Sequence, residues 1–177
     1  MSLNILVIVP THDRLEYLVG AVNSLEVQTR RPNETVVIGN VGAGPHFQFS
    51  EDTLAGRLNS TISRSRCDAF IILSDDDLLD PTYIERTEQE MERTGADIVY
   101  TSVQHFGEYT HVTENNEPVT ALCRKTAWKS AGGYAEVPFF DWDFWWSCRE
   151  AGARSVALRE PLFLYRRTKE QLARHAR

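Results

Sequence analysis

The stretch Phe70-Ile71-Ile72-Leu73-Ser74-Asp75-Asp76-Asp77-Leu78-Leu79-Asp80-Pro81 decides the fold, because an apolar run ends abruptly in three adjacent carboxylates. A short apolar run bounded by polar residues predicts a strand buried on both faces, as in a parallel sheet covered by helices. The acids then fall at its carboxyl end, the edge where open α/β sheets bind ligands. Three like charges held together are costly unless something positive neutralises them. A divalent cation carrying phosphate oxygens meets that need, since hard oxygen donors suit Mg²⁺ or Mn²⁺. A purely structural explanation stands beside it: Asp80 before Pro81 makes a helix N-cap followed by a first-turn proline. One Asp suffices for a cap, which leaves Asp75, Asp76 and Asp77 to explain.

Upstream, residues 5–9 form a second apolar run that stops at Pro10-Thr11. Asp13 is placed to cap a helix carrying Leu15, Leu18, Val19, Val22 and Leu25 at helical spacing. Residues 35–38 predict another strand, which enters the turn-rich segment Gly39-Asn40-Val41-Gly42-Ala43-Gly44-Pro45. The glycine spacing there is wrong for a dinucleotide fingerprint. Ser50-Glu51-Asp52 then opens a helix with Leu54, Leu58 and Ile62 on one face.

Downstream, residues 81–93 predict a helix released at Thr94-Gly95, followed by a strand over 96–103. Strand and helix alternate to this point at the spacing of a doubly wound sheet. Residues 107–112 suggest an antiparallel excursion or a loop, 118–123 a short returning strand and 124–129 a helix. A further helix over 142–151 and one or two edge strands over 156–165 complete the chain. The expected fold class is α/β, a mixed but mainly parallel sheet flanked by helices, in one domain over 1–177.

Composition narrows the function. The 177 residues are 42% hydrophobic and 25% charged, ordinary for a soluble globular domain. A net charge of -6 argues against a protein that grips a nucleic-acid backbone. The basic residues Arg166, Arg167, Lys169, Arg174 and Arg177 cluster in a tail expected to fray. Cys67, Cys123 and Cys148 lack metal-ligand spacing and predict buried thiols in a reducing compartment. No apolar stretch reaches transmembrane length. The expected location is the cytoplasm, with peripheral contact at the inner face of the membrane left open.

Three segments converge on one edge of the predicted sheet: Pro10 to Asp13 after the first strand, Gly39-Asn40 after the second, and the Asp triplet after the third. Together they suit a bipartite nucleotide pocket, with base and ribose against the first two and a metal-bound diphosphate against the acids. Helix initiation explains Thr11 and Asp13 equally well, and an αL turn explains Asn40. A second concentration of unusual residues is Pro138-Phe139-Phe140-Asp141-Trp142-Asp143-Phe144-Trp145-Trp146. In a helix, Trp142, Trp145 and Trp146 come within contact spacing and are expected to wedge it against the sheet. Carboxylates beside so much aromatic surface need pairing. One of Asp141 and Asp143 can cap the helix, leaving the other as a general base.

These residues resemble the large inverting family of GT-A fold glycosyltransferases (glycosyltransferase family 2-like) that includes bacterial polysaccharide and lipopolysaccharide transferases. Val9-Pro10-Thr11-His12-Asp13-Arg14 is similar to the family's opening Pro-Thr-X-Asn/Asp-Arg, and Leu73 to Pro81 to its Asp-X-Asp segment. Ala131-Gly132-Gly133-Tyr134 with Asp141-Trp142-Asp143 resembles its Gly-Gly-Phe/Tyr element and acidic motif. Pro161 to Arg166 resembles the closing strand. The resemblance implies transfer of a sugar from a nucleotide-diphosphate donor to an acceptor hydroxyl with inversion. It assigns nucleotide binding to Pro10, Thr11, Asp13 and Asn40, diphosphate and metal contacts to Asp75, Asp76 and Asp77, and the catalytic base to Asp141. Mn²⁺ or Mg²⁺ is the implied cofactor, and a glycan, lipid-linked glycan or small molecule the implied acceptor.

Four positions depart from the family pattern. Gly39-Asn40 replaces the usual Asp-Asp, Ser74 the first acid of Asp-X-Asp-Asp, Phe140 the acid before the base, and Thr168 a metal-binding His. Two alternatives therefore accompany the transferase: a degenerate nucleotide-sugar binding protein or partner subunit, and a nucleotidyltransferase, which ranks last because its glycine-rich phosphate loop is absent. The expected division is a nucleotide-binding half over 1–103, a mixed acceptor and catalytic half over 104–167, and a flexible tail over 168–177. There is little room after Tyr165 for an acceptor-binding subdomain, so a minimal transferase or a fragment is expected.

Overall fold

The computed structural model describes residues 2–12, 14–40, 53–114 and 120–168. Strand β1 (Ile5–His12) is buried continuously from Ile5 to Val9, and β3 (Ala69–Ile72) along its whole length. Successive side chains of a strand point to opposite faces, so runs without polar alternation require cover on both sides. Ile5, Val7, Val9 and Ile71 share one core with Leu18, Ala21 and Leu25 of α1 (Leu15–Glu26) and with Tyr83, Ile84 and Met91 of α3 (Tyr83–Thr94). Leu6, Ile8 and Phe70 belong to a second core with Leu58 and Ile62 of α2 (Leu54–Arg64) and with Phe144 and Cys148 of α5 (Phe140–Glu150). Each fully buried side chain of this size contributes about 1.5–3 kcal/mol, so the two cores together fix the three-layer arrangement.

The remaining strands are β2 (Glu34–Asn40), β4 (Leu78–Leu79), β5 (Ile98–Gly107), β6 (His111–Thr113), β7 (Leu122–Arg124) and β8 (Ser155–Arg167), with a short helix α4 (Lys125–Ser130). Their order in the eight-stranded sheet is β2-β1-β3-β7-β5-β8-β4, and β6 pairs with β5. β1 is parallel to both β2 and β3. β7 is antiparallel to β3 and to β5, and β8 is parallel to β5. The carboxyl ends of β1, β2, β3, β5 and β8 therefore meet at a single edge, which is where the sequence places the acids. β8 starts beside Ile98 at the amino end of β5. Helix α5 ends shortly before it and so crosses the sheet from the carboxyl edge to the amino edge, putting Asp141 at the carboxyl-edge end.

Most expected elements form, with instructive differences. The antiparallel excursion is the β5–β6 hairpin, and the edge strand over 156–165 is one long strand, next to the edge, flanked by β5 and β4. Asp80 does not cap α3 as the sequence suggests. Thr82 holds the N-cap position, and Asp80 Oδ1 accepts bonds from the Thr82 N–H (2.9 Å) and hydroxyl (2.7 Å), an Asx turn two residues ahead of the helix. The expected cap Asp13 and the expected helix opening Ser50-Glu51-Asp52 lie outside the described residues; Thr53 caps α2, its hydroxyl accepting the Gly56 N–H at 3.1 Å. Of the three tryptophans in α5 only Trp145 packs against the core, beside Phe144 and Cys148, while Trp142 and Trp146 are exposed. The helix turns Phe144 and Cys148, four residues apart, into the core, with the Trp145 ring 4.8 Å from that of Phe144. Arg166 and Arg167 are not frayed but close β8; residues 169–177 lie outside the described residues. Cys67, Cys123 and Cys148 are free and buried, as expected. Among the described residues, no helix is long and apolar enough to cross a membrane.

Gly39 fixes how β2 ends. Its φ is 146°, and a Cβ there would run into the carbonyl oxygen of Thr11. Only glycine lets the two strand ends approach this closely. Gly39→Ala is expected to destabilise the fold by about 1–3 kcal/mol, measured by urea unfolding, and a change within error would mean that the strand ends part freely.

Candidate active site

At the carboxyl edge a cleft of about 450 Å³ opens between the ends of β1 and β2 and the start of α2. Its lining comes from Pro10, Thr11 and His12 at the end of β1 with Arg14, from Ile38 and Gly39 of β2, from Leu54 and Arg57 of α2, and from Ser74 and Asp75 after β3. Of the sequence-predicted residues, Pro10, Thr11 and Asp75 thus share one cavity. The backbone of Asn40 pairs with His12 at the end of β2, while Asp13 lies outside the described residues. Sequence reasoning missed the contributions of His12, Arg14 and Arg57.

The acid triplet is buried: Asp75 is 1% exposed, Asp76 8% and Asp77 2%. Burial of carboxylates demands partners, and the chain supplies them from two directions. The Thr11 hydroxyl donates to Asp75 Oδ2 at 2.6 Å. Arg14 donates through Nε to Asp75 Oδ2 at 3.2 Å and through Nη1 to Asp76 Oδ2 at 3.0 Å, and its Nη2 contacts Asp75 Oδ1. Burial alone would lower the Arg14 guanidinium, but the charges of Asp76 and Asp75 outweigh it and raise its pKa. From the other side, the Arg166 N–H donates to Asp77 Oδ1 at 2.8 Å and Arg166 Nε to the Asp76 carbonyl at 2.8 Å. The Arg166 guanidinium also sits 4.5 Å from the Phe106 ring and 4.9 Å from the Tyr17 ring. That position was legible only as the residue after Tyr165 in the closing strand.

Asp77 is the least compensated of the three. Burial pushes its pKa well above the usual carboxylate range, the Arg166 N–H bond offsets this only in part, and the charge of Asp76 raises it further. A group in this state gains most from an added positive charge. Among the described residues, no three His, Cys, Asp or Glu groups converge as a ready-made metal cage. The donors present fit a cation that takes one or two carboxylates and completes its shell with water and phosphate oxygens, the usual manner of Mg²⁺.

Asp141 sits in the first turn of α5, half-buried, and outside the lining of the cleft. Two contacts tie its approach to the cleft wall. Glu136 Oε1 accepts the Thr53 hydroxyl at 2.9 Å, at the cap of the helix that supplies Leu54 and Arg57. Asn59 in the same helix accepts at Oδ1 from the Tyr134 N–H (2.8 Å) and Trp128 Nε1 (3.1 Å) and donates to the Tyr134 carbonyl (2.8 Å). Gly133 makes room for this: its φ is 83°, and a Cβ would come within 2.7 Å of Asn59 Oδ1. The Tyr134 ring then packs against Phe140 at 5.8 Å and Phe144 at 4.2 Å, which sets the start of α5. Asn59→Ala removes three bonds and orphans the Trp128 indole, so a loss of about 2–3 kcal/mol in urea unfolding is expected. A loss below about 0.5 kcal/mol would show that water replaces them.

Solved structures share this architecture. S. aureus TarS 1-349 superposes with a TM-score of 0.78 at 13% identity, over 92% of this chain and 60% of that one. The same fragment in complex with UDP gives 0.74 at 13% identity, over 97% and 62%. The mannosyltransferase PcManGT from Pyrobaculum calidifontis, in complex with GDP-Man and Mn²⁺, gives 0.76 at 12% identity, over 96% and 58%. The chain thus spans about three fifths of these relatives' length. No curated protein matches the sequence. The fold is GT-A, a mixed sheet with its ligand edge at the strand carboxyl ends. The chain belongs to glycosyl transferase family 2, whose model matches residues 47–151, more than half of the sequence. The matched segment includes the acid triplet and Asp141 but not β1 or β2.

Proposed function

We propose that this domain transfers a sugar from a nucleotide-diphosphate donor to an acceptor hydroxyl with inversion, assisted by Mn²⁺ or Mg²⁺. The carrying observation is the cleft at the carboxyl edge, lined by Pro10, Thr11, Gly39 and Asp75, in a glycosyl transferase family 2 chain. UDP in the TarS complex and GDP-Man with Mn²⁺ in the mannosyltransferase complex support a nucleotide sugar as the donor. In this reading residues 1–103 hold the nucleotide and 104–167 serve the acceptor and the chemistry. The base and ribose lie against Pro10, Thr11, Asp13 and Asn40, and the diphosphate reaches towards Asp75 and Asp76. Asp76 and Asp77 would hold the cation, which when bound supplies positive charge beside the leaving diphosphate. Arg14 orients Asp75 and Asp76, and Arg166 holds the backbone beneath them. Asp141 takes the proton of the attacking hydroxyl, and a single displacement inverts the anomeric carbon.

The binding-only alternative keeps one specific support: the Arg14 guanidinium pairs with both Asp75 and Asp76, so the chain itself offsets part of the triplet's charge without a metal. A thermal-shift screen of UDP, GDP, dTDP and CDP, with and without Mn²⁺, tests donor binding, since ligands selective for the folded state raise its stability. At least one nucleotide is expected to stabilise the protein, more so with Mn²⁺. Gly39 and Asn40 carry no carboxylate, so discrimination among bases is expected to stay below about 100-fold, or roughly 2.7 kcal/mol. No shift with any nucleotide would remove the proposed donor site.

A further inference from the structure

The exposed aromatic surface of α5 has no role in the cleft, yet it begins at Asp141. Phe139 is 77% exposed, Trp142 55% and Trp146 59%, in a protein whose other large side chains mostly fill its two cores. Trp142 and Trp146 are four residues apart and so lie on one helix face, separated by about 6 Å along the axis, the scale of a sugar ring. Phe139 precedes the helix with φ 58°, the one non-glycine residue in the left-handed region among those described. Bulky residues adopt that conformation at a cost, and here it holds a phenyl ring out in solvent. Arg149 closes the far end, its guanidinium 5.7 Å from the Trp146 ring. The strip is therefore a row of rings flanked by hydrogen-bonding groups: Asp141 and Asp143 at its head and Arg149 at its foot.

We propose that this strip is the acceptor subsite, and that it takes a glycan chain of several sugar units laid along α5. The inference rests on Asp141 as the base. Chemistry separates a glycan from other occupants. Flat sugar faces carry C–H groups that pack on aromatic rings, and their rims carry hydroxyls that donate to carboxylates and accept from guanidinium groups. A membrane surface with anionic lipids is disfavoured by two acids in the first turn of the helix and by the net charge of -6. A second copy of the chain is the other occupant to test, and sedimentation decides it. A glycan satisfies both rings and acids, and it would bring a terminal hydroxyl to the end of α5 where Asp141 stands.

Titration calorimetry with cellohexaose, maltohexaose and chitohexaose tests the assignment, with UDP and GDP titrated in parallel. At least one hexasaccharide is expected to bind with a Kd of about 10 mM or tighter. Trp142→Ala and Trp146→Ala should each weaken it at least tenfold, Trp146→Phe should restore most of the affinity, and nucleotide binding should be unchanged throughout. Both tryptophans are exposed, so melting temperatures should stay near that of the wild type. Nucleotide binding without hexasaccharide binding, or hexasaccharide binding that survives loss of both rings, overturns the glycan subsite alone. Loss of nucleotide binding in the wild type overturns the donor reading instead. Sedimentation and flotation with phosphatidylglycerol vesicles complete the test: self-association or vesicle binding that vanishes in Trp142→Ala reassigns the strip and overturns the proposal.

Discussion

Asp141→Asn is expected to reduce sugar transfer by about 10²-fold or more, the scale of general-base catalysis, while leaving nucleotide affinity within a few-fold. The substitution keeps size and hydrogen bonding but removes the proton-accepting charge. Asp141 stands in the first turn of α5, after a left-handed Phe139, where a carboxylate also interacts favourably with the helix N-terminus. That interaction is worth about 0.3–1 kcal/mol at such sites, so the melting temperature should fall only slightly. The helix start itself is set by Tyr134 against Phe140 and Phe144, which the variant leaves intact. Measuring turnover, nucleotide affinity and melting temperature on the same preparation separates the two roles. Turnover near the wild-type value would remove Asp141 from the chemistry and leave it as a helix-end charge.

Asp77→Asn should move stability and metal response in opposite directions. Burial raises the folded-state pKa of Asp77 well above its ordinary value, so the folded chain favours the protonated form. As pH rises from the ordinary carboxylate range through the raised value, the unfolded state ionises first, and stability falls across that window. Asn cannot ionise and still offers an oxygen to the Arg166 N–H, so the metal-free variant should melt at a higher temperature than the wild type at neutral pH. The gain should vanish only below the ordinary value of 3.8, towards pH 3, where the wild-type carboxyl is protonated in both states. Mn²⁺ with a nucleotide diphosphate should stabilise the wild type strongly and the variant little. A variant less stable than the wild type at neutral pH without metal would show that the Asp77 charge is well compensated by its neighbours.

How far the sequence foretold this site depends on which physical signal each residue carries. The runs before Pro10 and Ser74 are apolar without alternation, and that pattern alone implies two covered faces, a central position and a ligand edge beyond the acids. Tertiary partners leave no such trace. Arg14 ends the opening motif with no local sign that it closes on Asp75 and Asp76. Arg166 reads as the start of a basic tail, because nothing local reveals that β8 runs on beside β5 as far as Arg167. Trp142 and Trp146 misled for a related reason. Helical spacing says which of them share a face but not which way that face turns, and Phe144 with Cys148 took the core side. Asp80 next to Pro81 carries the signature of a cap, yet the chain makes an Asx turn first and starts the helix at Tyr83.

Linked binding of Mn²⁺ and a nucleotide diphosphate tests the donor site most directly. Whatever factor Mn²⁺ adds to nucleotide affinity, the nucleotide must add to Mn²⁺ affinity, because coupling between two ligands is reciprocal. Calorimetric titration of the best-binding nucleotide, with saturating Mn²⁺ and then with EDTA, should show a coupling of at least tenfold, about 1.4 kcal/mol. The same titrations on Asp76→Ala and Asp77→Ala should show the coupling lost and the EDTA affinity little changed. Equal nucleotide affinity with Mn²⁺ and with EDTA in the wild type would contradict a metal-bridged diphosphate at the acid triplet.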